Sequence, residues 1–313
     1  MKLHAGSRLE KVLKAGHFAV TVEVGPPRGP DPEVMRKKAN LLRGVADAYN
    51  VTDNQTAVVR LSSIVGAKLL LDEGLEPVMQ MTCRDRNRIA IQSDLLGASA
   101  LGIRNCLCLS GDHQKSSAAG KLKGHPGSKN VYDVDSIQLI AILKGLRDEA
   151  LQEGGDAIKP ATPFFIGAAW TPLSPPEKYR VLRLAKKIEA GADFIQTQAV
   201  YDVPRFAEAV AAARSEGLTD RAAILPGVIV PKSAGMLKYM SENVAGVQVP
   251  EELIRRMASA SDPKAEGVKL AAELIGALKD IPGIAGVHVQ GIEWEEILPE
   301  VIGKAGLLPR PTI

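Results

Sequence analysis

The sequence predicts a (β/α)8 TIM barrel, an α/β fold, formed as one domain over residues 1–313. Eight short apolar segments with strand character alternate with segments of helical periodicity along the chain. No stretch with a shift in composition marks a linker. A doubly wound sheet is the alternative, but the first strand is followed by GPPRGP instead of a glycine-rich dinucleotide fingerprint, and a Walker A motif is absent.

The predicted strands are short runs of apolar residues that stop at glycine, proline or polar residues. The first is the clearest, because apolar residues alternate with small or polar ones from Phe18 to Val24, and Gly25-Pro26-Pro27 ends the run. The eight strands are predicted at 18–24, 46–51, 77–82, 104–109, 163–169, 193–197, 222–229 and 286–290.

The predicted helices combine an apolar face with capping residues. Ser7 is expected to cap the first helix, which Gly16 ends, and Asp31 before Pro32 is expected to begin the second. The long segment 114–130, rich in Gly, Lys and Ser, has the length of a lid, a binding loop or a disordered loop. Helices are predicted at 7–15, 31–43, 56–72, 86–102, 135–153, 177–190, 203–217, 234–243, 251–279 and 292–304.

Composition argues against several classes of protein, namely nucleic-acid-binding, membrane and secreted proteins. The net charge of +3, from 39 basic and 36 acidic residues, and an aromatic content of 4% argue against a nucleic-acid partner or a membrane surface. The first sixteen residues lack the apolar core of a signal peptide, and no stretch has the apolar length of a membrane span. Three cysteines fit a reducing cytoplasm, where we expect buried packing for Cys83, Cys106 and Cys108 and no metal site.

Polar residues recur where the predicted strands end. In a barrel, the carboxyl ends of all strands meet at one rim, and this rim holds the active site. Each residue alone could equally be a solvated strand end or a cap, but the set favours a shared site. The residues are Glu23, Thr52-Asp53-Asn54, Thr82, Asp112-His113, Gln198, His288 and Gln290.

The order of several motifs resembles one known family. The motifs are Glu23 in VEVGPP, Thr82 in MTC, Gly111-Asp112 after the fourth strand, Gln198 in IQTQAVYD, and Leu225-Pro226-Gly227-Val228. Together, over nearly the whole chain, they resemble the methylenetetrahydrofolate reductase family. The resemblance implies a flavin-dependent barrel, with FAD or FMN, that reduces 5,10-methylenetetrahydrofolate to 5-methyltetrahydrofolate, a reaction that some members run in reverse.

The resemblance also implies roles for individual residues. Glu23 matches the general acid that protonates N10 of the folate, which opens the ring and leaves a 5-iminium cation that accepts hydride from the flavin. Asp112 matches the acidic residue beside the flavin and the folate, and Gln198 matches an amide that binds the pterin edge. Gln290, at the end of the eighth strand, is predicted to bind substrate with Gln198. The residues predicted to bind the flavin are Thr52, Gln80, Leu109, Ser110, Gly111, Asp112, His113, Tyr132 and Asp135.

The sequence departs from the common family pattern at three places. Ser110 stands where the family usually has arginine, and Gln80 where it often has histidine. Ala199 and Val200 stand where aromatic residues are common. These features resemble the acetogen-type reductases of the Wood–Ljungdahl pathway, which implies poor direct use of NAD(P)H and electron delivery through a small zinc-containing partner subunit.

Two other functions are compatible with a barrel. A lyase or aldolase would pair Glu23 with a Schiff-base lysine, but no predicted strand contains lysine. A non-catalytic subunit of a larger redox or methyl-transfer complex would not need Glu23, Asp112 and Gln198 together. The basic loop residues Lys115, Lys121, Lys123 and Lys129 are either solvated or contact cofactor phosphate or folate glutamates.

Overall fold

A computed structural model describes residues 3–114 and 124–313, in which eight parallel strands close into a barrel in sequence order. The predicted (β/α)8 fold is therefore confirmed. Three of the four basic loop positions, Lys115, Lys121 and Lys123, lie outside the described residues. The strands are β1 (Ala19–Val24), β2 (Ala48–Val51), β3 (Pro77–Thr82), β4 (Asn105–Leu109), β5 (Phe165–Trp170), β6 (Phe194–Ala199), β7 (Ala223–Ile229) and β8 (Gly286–Gln290).

Helices follow the strands and surround the barrel. Short 3-10 turns precede α3, α6 and α11 at Gln55–Ala57, Glu177–Tyr179 and Glu295–Ile297. Within the described part of the chain, no helix has the length and apolarity needed to cross a membrane. The helices are α1 (Arg8–Lys14), α2 (Glu33–Leu42), α3 (Ser63–Asp72), α4 (Arg88–Ala100), α5 (Ser136–Lys144), α6 (Arg180–Ala190), α7 (Val203–Ser215), α8 (Ala234–Asn243), α9 (Glu251–Ser259), α10 (Pro263–Lys279) and α11 (Leu298–Lys304).

Four predicted helices are wrong in extent, and one of them, predicted at 292–304, begins as α11 only at Leu298. The helix predicted at 56–72 begins only at Ser63, because the chain from 54 to 57 contains left-handed residues. The helix predicted at 251–279 is two helices, since Ala260 is extended and Asp262 caps α10 by accepting hydrogen bonds from the Lys264 and Ala265 amides. The helix predicted at 135–153 is shorter, because α5 ends at residue 144. A π-helical turn follows it and ends at residue 149.

An apolar layer fills the amino end of the barrel. Phe165 and Phe194 stack there with ring centroids 5.2 Å apart, and Leu9 and Val12 of α1 pack against this layer from below. Gly167 makes room for the rings, because a Cβ on it would lie 2.3 Å from Phe194. The helix α1 therefore closes the end of the barrel that lies opposite the strand carboxyl ends.

A polar layer lies above the apolar one. The Asn50 amide donates to Gln196 Oε1 at 2.7 Å, and the Gln196 amide donates to Thr21 Oγ1 at 3.0 Å. Thr21 Oγ1 also lies 3.0 Å from Nδ1 of His288. Burial lowers the pKa of His288 to about 3, so its ring is neutral at physiological pH. His288 therefore belongs to the barrel interior, not to the rim where the sequence pattern placed it.

Buried carboxylates at the amino end are fully partnered. Asp47 accepts hydrogen bonds from Arg8 at 3.2 Å, from Arg310 at 2.5 Å and from the Val20 amide at 2.8 Å. Glu76 accepts from the Arg8 and Leu9 amides at 2.6 and 3.0 Å. These contacts join both ends of the described chain to the base of the barrel, and they stabilise the fold without any access to the opposite rim.

Candidate functional site

One large cavity of about 1060 Å³ opens at the carboxyl ends of the strands. This volume is at the upper end of ordinary ligand pockets, so two ring systems can occupy it together. The sequence prediction identified much of its wall. The predicted site residues that line it are Glu23, Thr52, Gln80, Leu109, Ser110, Gly111, Asp112, Asp135 and Gln198.

The other predicted site residues lie beside the cavity, outside its lining. Gln290 ends β8, and its carbonyl accepts a hydrogen bond from the Val230 amide at 2.9 Å. The Tyr132 hydroxyl donates to the Gly111 carbonyl at 3.0 Å, so it supports the rim from behind. His113 is exposed on the segment that follows Asp112. The cavity wall therefore does not include Gln290, His113 or Tyr132.

Glu23 is placed in the cavity by the alternation of β1. Thr21, two residues earlier on the same face, belongs to the polar layer, and Glu23 lies one layer above it. Burial of the carboxyl raises the pKa of Glu23 to about 7, and the nearby Glu295 adds to the shift, while Arg60 and Lys38 oppose it. A carboxyl with this pKa is partly protonated at neutral pH and can act as a proton donor.

Asp112 is held at the rim by residues of the segments that follow β2 and β3. The Thr56 amide donates to its carboxylate at 3.2 Å, and Arg84 donates to its backbone carbonyl at 3.1 Å. The same guanidinium donates to the Asn54 carbonyl at 3.1 Å. Gly111 has φ +87°, and a Cβ on it would lie 3.0 Å from Thr82, so only glycine lets this turn approach β3 so closely.

The turn after β2 is strained. Three of its non-glycine residues, Asn54, Thr56 and Ala57, have φ between 46° and 57°. The Asn54 side chain accepts from the Arg60 amide at 3.0 Å, and the Arg60 guanidinium donates to the Pro26 carbonyl at 3.0 Å. Backbone strain of this kind is typical of functional sites and persists because the surrounding contacts fix it.

Gln198 enters the cavity from an irregular strand. The pairing of β6 with β7 shifts between Gln196 and Ala199, and Gly227 approaches closely at this point. A Cβ on Gly227 would lie 2.6 Å from the Thr197 carbonyl oxygen. The sequence prediction placed Gln198 after the sixth strand, whereas it lies within β6, where its Oε1 accepts a hydrogen bond from the neighbouring Ala199 amide at 3.2 Å.

A basic wall was missed by the sequence prediction. Lys187 of α6 is buried, and its ammonium donates to the Ala169 carbonyl at 2.5 Å. Burial lowers the pKa of Lys187 to about 8, with Arg183 adding to the shift. Arg180, Arg183 and Lys186 line the same side of the cavity. Arg183 and Lys187 follow Arg180 by three and seven residues, and this spacing on one helical face was the available signal.

Thr52 and Asp135, two residues of the cavity wall, differ in their hydrogen bonds. Oγ1 of Thr52 is buried with no hydrogen-bond partner in the part of the chain that the structure describes. Asp135 caps α5, since its Oδ1 accepts from the Ile137 and Gln138 amides at 2.9 Å. The amino end of α5 therefore lies at the cavity, because Ser136 and Ile137 also line it.

Comparison with known proteins gives a consistent family match. The sequence model described as methylenetetrahydrofolate reductase matches residues 8–306. A probable methylenetetrahydrofolate reductase (NADPH) of Caenorhabditis elegans is 22% identical over 316 residues, which cover 96% of this chain and 44% of that protein. Methylenetetrahydrofolate reductase 2 of Schizosaccharomyces pombe is 28% identical, with 88% and 43% covered. The chain thus spans less than half the length of these relatives.

A solved structure supports the fold. An uncharacterised protein from Clostridium thermocellum, which binds two copies of 5-methyl-5,6,7,8-tetrahydrofolic acid, aligns with a TM-score of 0.63. The alignment covers 96% of this chain and 98% of that one, at 14% sequence identity. At this identity the likeness concerns the barrel alone.

Proposed function

The chain belongs to the methylenetetrahydrofolate reductase family, and from this premise we propose that it reduces 5,10-methylenetetrahydrofolate to 5-methyltetrahydrofolate with a bound flavin. One observation carries the proposal. Glu23, with a pKa of about 7, lines the same cavity as Asp112 and Gln198. A proton donor, a carboxylate and an amide around one opening are the groups that this reaction requires.

The cavity wall fits a flavin. The cavity is large enough for flavin and folate together, and it is lined by Thr52, whose Oγ1 has no hydrogen-bond partner among the described residues. Lys187 makes no salt bridge among the described residues and lies on the same wall as the amino end of α5, a combination that suits a phosphate group. When bound, the flavin supplies the hydride. We propose that Thr52, Gln80, Gly111 and Lys187 hold it.

Glu23 performs the proton step. Its carboxyl gives a proton to N10 of the folate, the bond between N10 and the methylene carbon breaks, and a 5-iminium cation forms on the substrate. Because burial holds the pKa of Glu23 near 7, the carboxyl is protonated often enough to donate and acidic enough to release the proton.

Asp112 and Gln198 act on the folate in different ways. The Asp112 carboxylate places a negative charge at the rim, which favours the cationic iminium over its neutral precursor. The contacts of its backbone with Arg84 and of its carboxylate with Thr56 hold that charge in position. The Gln198 amide offers one acceptor and one donor group, and these match the mixed donor and acceptor edge of a pterin.

We also propose that electrons arrive through a zinc-containing partner subunit, as in the Wood–Ljungdahl pathway, instead of from bound NAD(P)H. Ala199 and Val200 are buried and present no ring for stacking a nicotinamide. The nearby Tyr201 cannot substitute for one, because it is 2% exposed and its hydroxyl donates to the Ile229 carbonyl at 2.8 Å.

Anaerobic flavin oxidation tests the function. The protein is loaded with flavin, the flavin is photoreduced, and 5,10-methylenetetrahydrofolate is added while the visible flavin band is followed. Recovery of the band together with formation of 5-methyltetrahydrofolate supports the proposal. A flavin-loaded protein that stays reduced would instead indicate a non-catalytic subunit. A parallel arm with NADH and oxidised flavin tests the donor, and rapid bleaching there would refute the partner-subunit proposal.

A further inference from the structure

A second, smaller cavity lies behind Glu23. It measures about 110 Å³, enough for several water molecules, and is called the rear cavity below. Glu23 and Gln55 line both this cavity and the main one, so the carboxyl stands in the wall between them. The rest of the rear cavity is lined by charged side chains and turns, among them Lys38, Arg60 and Glu295.

Unpartnered polar atoms indicate that the rear cavity holds water. Nε of Arg60 and Oε1 of Gln55 are both buried and have no hydrogen-bond partner within the described ranges. Buried polar atoms in proteins are nearly always hydrogen-bonded, to ordered water where no protein group is available. Both residues line the rear cavity.

An ion pair lines the rear cavity. The Lys38 ammonium donates to the Gly25 carbonyl at 2.8 Å and pairs with the Glu295 carboxylate. The Glu295 side chain is 11% exposed and that of Lys38 is 23% exposed, so the pair lies between the interior and solvent. Glu293, which is exposed, lies on the same wall. Exchangeable protons are therefore available from solvent inward to Glu23.

We propose that the rear cavity is a water-filled path that returns a proton to Glu23 while the folate occupies the main cavity. The inference rests on the proposed function. When N10 takes the proton, the Glu23 O–H bond breaks and a carboxylate remains. One proton from solvent then passes through the waters beside Glu295 and Lys38 and restores the O–H bond. No oxidant or reductant takes part in this return step.

Gly25 offers a way to block the path. It lines the rear cavity and is absent from the wall of the main one. A Cβ on Gly25 would lie 3.8 Å from Glu295 Oε1 and 4.0 Å from Lys38 Nζ, which is ordinary contact. Gly25→Val adds two further methyl groups at this point, and a β-branched residue suits the position before proline. Gly25→Ala is the matched control, since it adds only the Cβ.

The experiment compares two signals in one stopped-flow reaction. Holoenzyme with photoreduced flavin is mixed with 5,10-methylenetetrahydrofolate in weak buffer that contains a pH-indicator dye, at a pH below the Glu23 pKa. Flavin oxidation reports hydride transfer, and the dye reports net proton exchange with solvent. Glu23 takes up one proton, and a flavin reduced to its neutral form releases one from N1, so slow uptake by Glu23 produces a transient acidification. In the wild type and in Gly25→Ala, we expect both proton movements to keep pace with flavin oxidation, so that no such transient is seen.

In Gly25→Val, we expect flavin oxidation to keep its rate in the first turnover, because Glu23 already carries a proton. Proton uptake is expected to lag by about tenfold or more, since an added barrier of about 1.4 kcal/mol already has that effect. Absence of the transient acidification in Gly25→Val would overturn the proposal. If this variant does not fold, Lys38→Met combined with Glu295→Gln removes the ion pair, and absence of the transient there would overturn it equally.

The same experiment distinguishes failure of the proposed reductase function from failure of the proton path. In that case the wild type itself would show no flavin oxidation on addition of the folate, and this result would overturn both proposals. A wild type that oxidises its flavin, with no lag in either blocked variant, leaves the reductase function intact and removes only the proton path.

Discussion

Buried ionisable side chains at the two ends of the barrel differ in their hydrogen-bond and salt-bridge partners. At the amino end, Asp47 is fully buried and accepts four hydrogen bonds, three of them from the guanidinium groups of Arg8 and Arg310. At the carboxyl end, Glu23 makes no salt bridge among the described residues, and Lys187 has only a backbone carbonyl as partner. Both ends therefore contain ionisable groups away from water. At the carboxyl end Asp53 is paired with Arg86, whereas Glu23 and Lys187 make no salt bridge among the described residues.

This difference separates stabilising groups from functional ones. Burial without a salt bridge drives Glu23 and Lys187 toward their neutral forms, so the pKa of Glu23 rises to about 7 and the pKa of Lys187 falls to about 8. Groups with such shifts reduce the stability of the fold, and proteins keep them where chemistry or binding requires them. The comparison therefore predicts that equivalent substitutions at the two ends have opposite effects.

The largest expected effect is on catalysis. Glu23→Gln keeps the shape of the side chain but removes its proton, so we expect folate-dependent flavin oxidation to slow by about 10²- to 10⁴-fold. Flavin binding is expected to remain, because the predicted flavin contacts lie elsewhere on the wall. Rates from anaerobic stopped flow and flavin content from absorbance check both statements. Undiminished folate reduction in this variant would contradict the assignment of Glu23.

The same variant is expected to gain stability. A glutamate has a pKa of 4.5 as its ordinary value and about 7 at position 23 in the fold, so between these values the folded protein binds more protons than the unfolded chain. The free energy of unfolding therefore falls as the pH rises through this window. Glu23→Gln removes this pH-dependent loss of stability. Above pH 7 we therefore expect the free energy of unfolding, measured with denaturant, to be about 1 to 3 kcal/mol higher than in the wild type.

The next effect is a loss of stability at the amino end. Asp47→Asn leaves Arg8 and Arg310 without their shared carboxylate, which is expected to reduce the free energy of unfolding by about 3 kcal/mol. Activity per folded molecule is expected to remain, since Asp47 is far from the rim. Glu33→Gln, which breaks an exposed pair with Arg36, is the control and should change stability little. Equal stability of the two variants would contradict the comparison.

A smaller effect is expected on cofactor affinity. Lys187→Met removes a buried cation, and we expect flavin binding to weaken by about 10- to 100-fold, as for the loss of one hydrogen bond to a charged group. Fluorescence titration of the apoprotein with flavin measures this change. Lys304→Met, which removes an exposed lysine paired with Glu300 on α11, is the matched control. Unchanged affinity in Lys187→Met would remove Lys187 from the cofactor site.

The smallest effect is a shift in pH dependence. Four charged groups surround Glu23: Glu295 raises its pKa, Arg60 and Lys38 lower it, and Glu293 shares the rear cavity. Because the acid must be protonated, the rate of flavin oxidation is expected to fall as the pH rises through about 7. Glu295→Gln should move this fall to lower pH and Lys38→Met to higher pH, each by up to about one unit. Shifts in the same direction would contradict this electrostatic account.

Much of the fold was predictable because the sequence pattern of a barrel strand is local. Alternation from Phe18 to Val24 and the proline stop after it depend only on neighbouring residues. The turn at 54–57 was not predictable, because left-handed conformations at Thr56 and Ala57 contradict local preference and depend on contacts with Asp112 and Arg84. The break between α9 and α10 at Ala260 was likewise not predictable, because the surrounding sequence is rich in helix-forming residues.

The site was predictable to the extent that it lies at strand ends. Glu23, Asp112 and Gln198 were found because strand ends define the rim. Lys187 and Lys38 were missed because long side chains reach the two cavities from helices, and no local pattern reports that reach. Gln290 was placed in the site by its position at the end of β8, and its role in substrate binding stays a prediction.

Closure of the ring has a consequence for how the protein folds. β1 and β8 pair directly, and the hydroxyl of Thr21 reaches the Val287 carbonyl across 266 positions of sequence. The entropy lost in joining such distant segments makes their pairing slow compared with the local βα contacts. Until it happens, both strands present unpaired edges that a second chain can join. Refolding yield is therefore expected to fall as protein concentration rises, through aggregation at this seam.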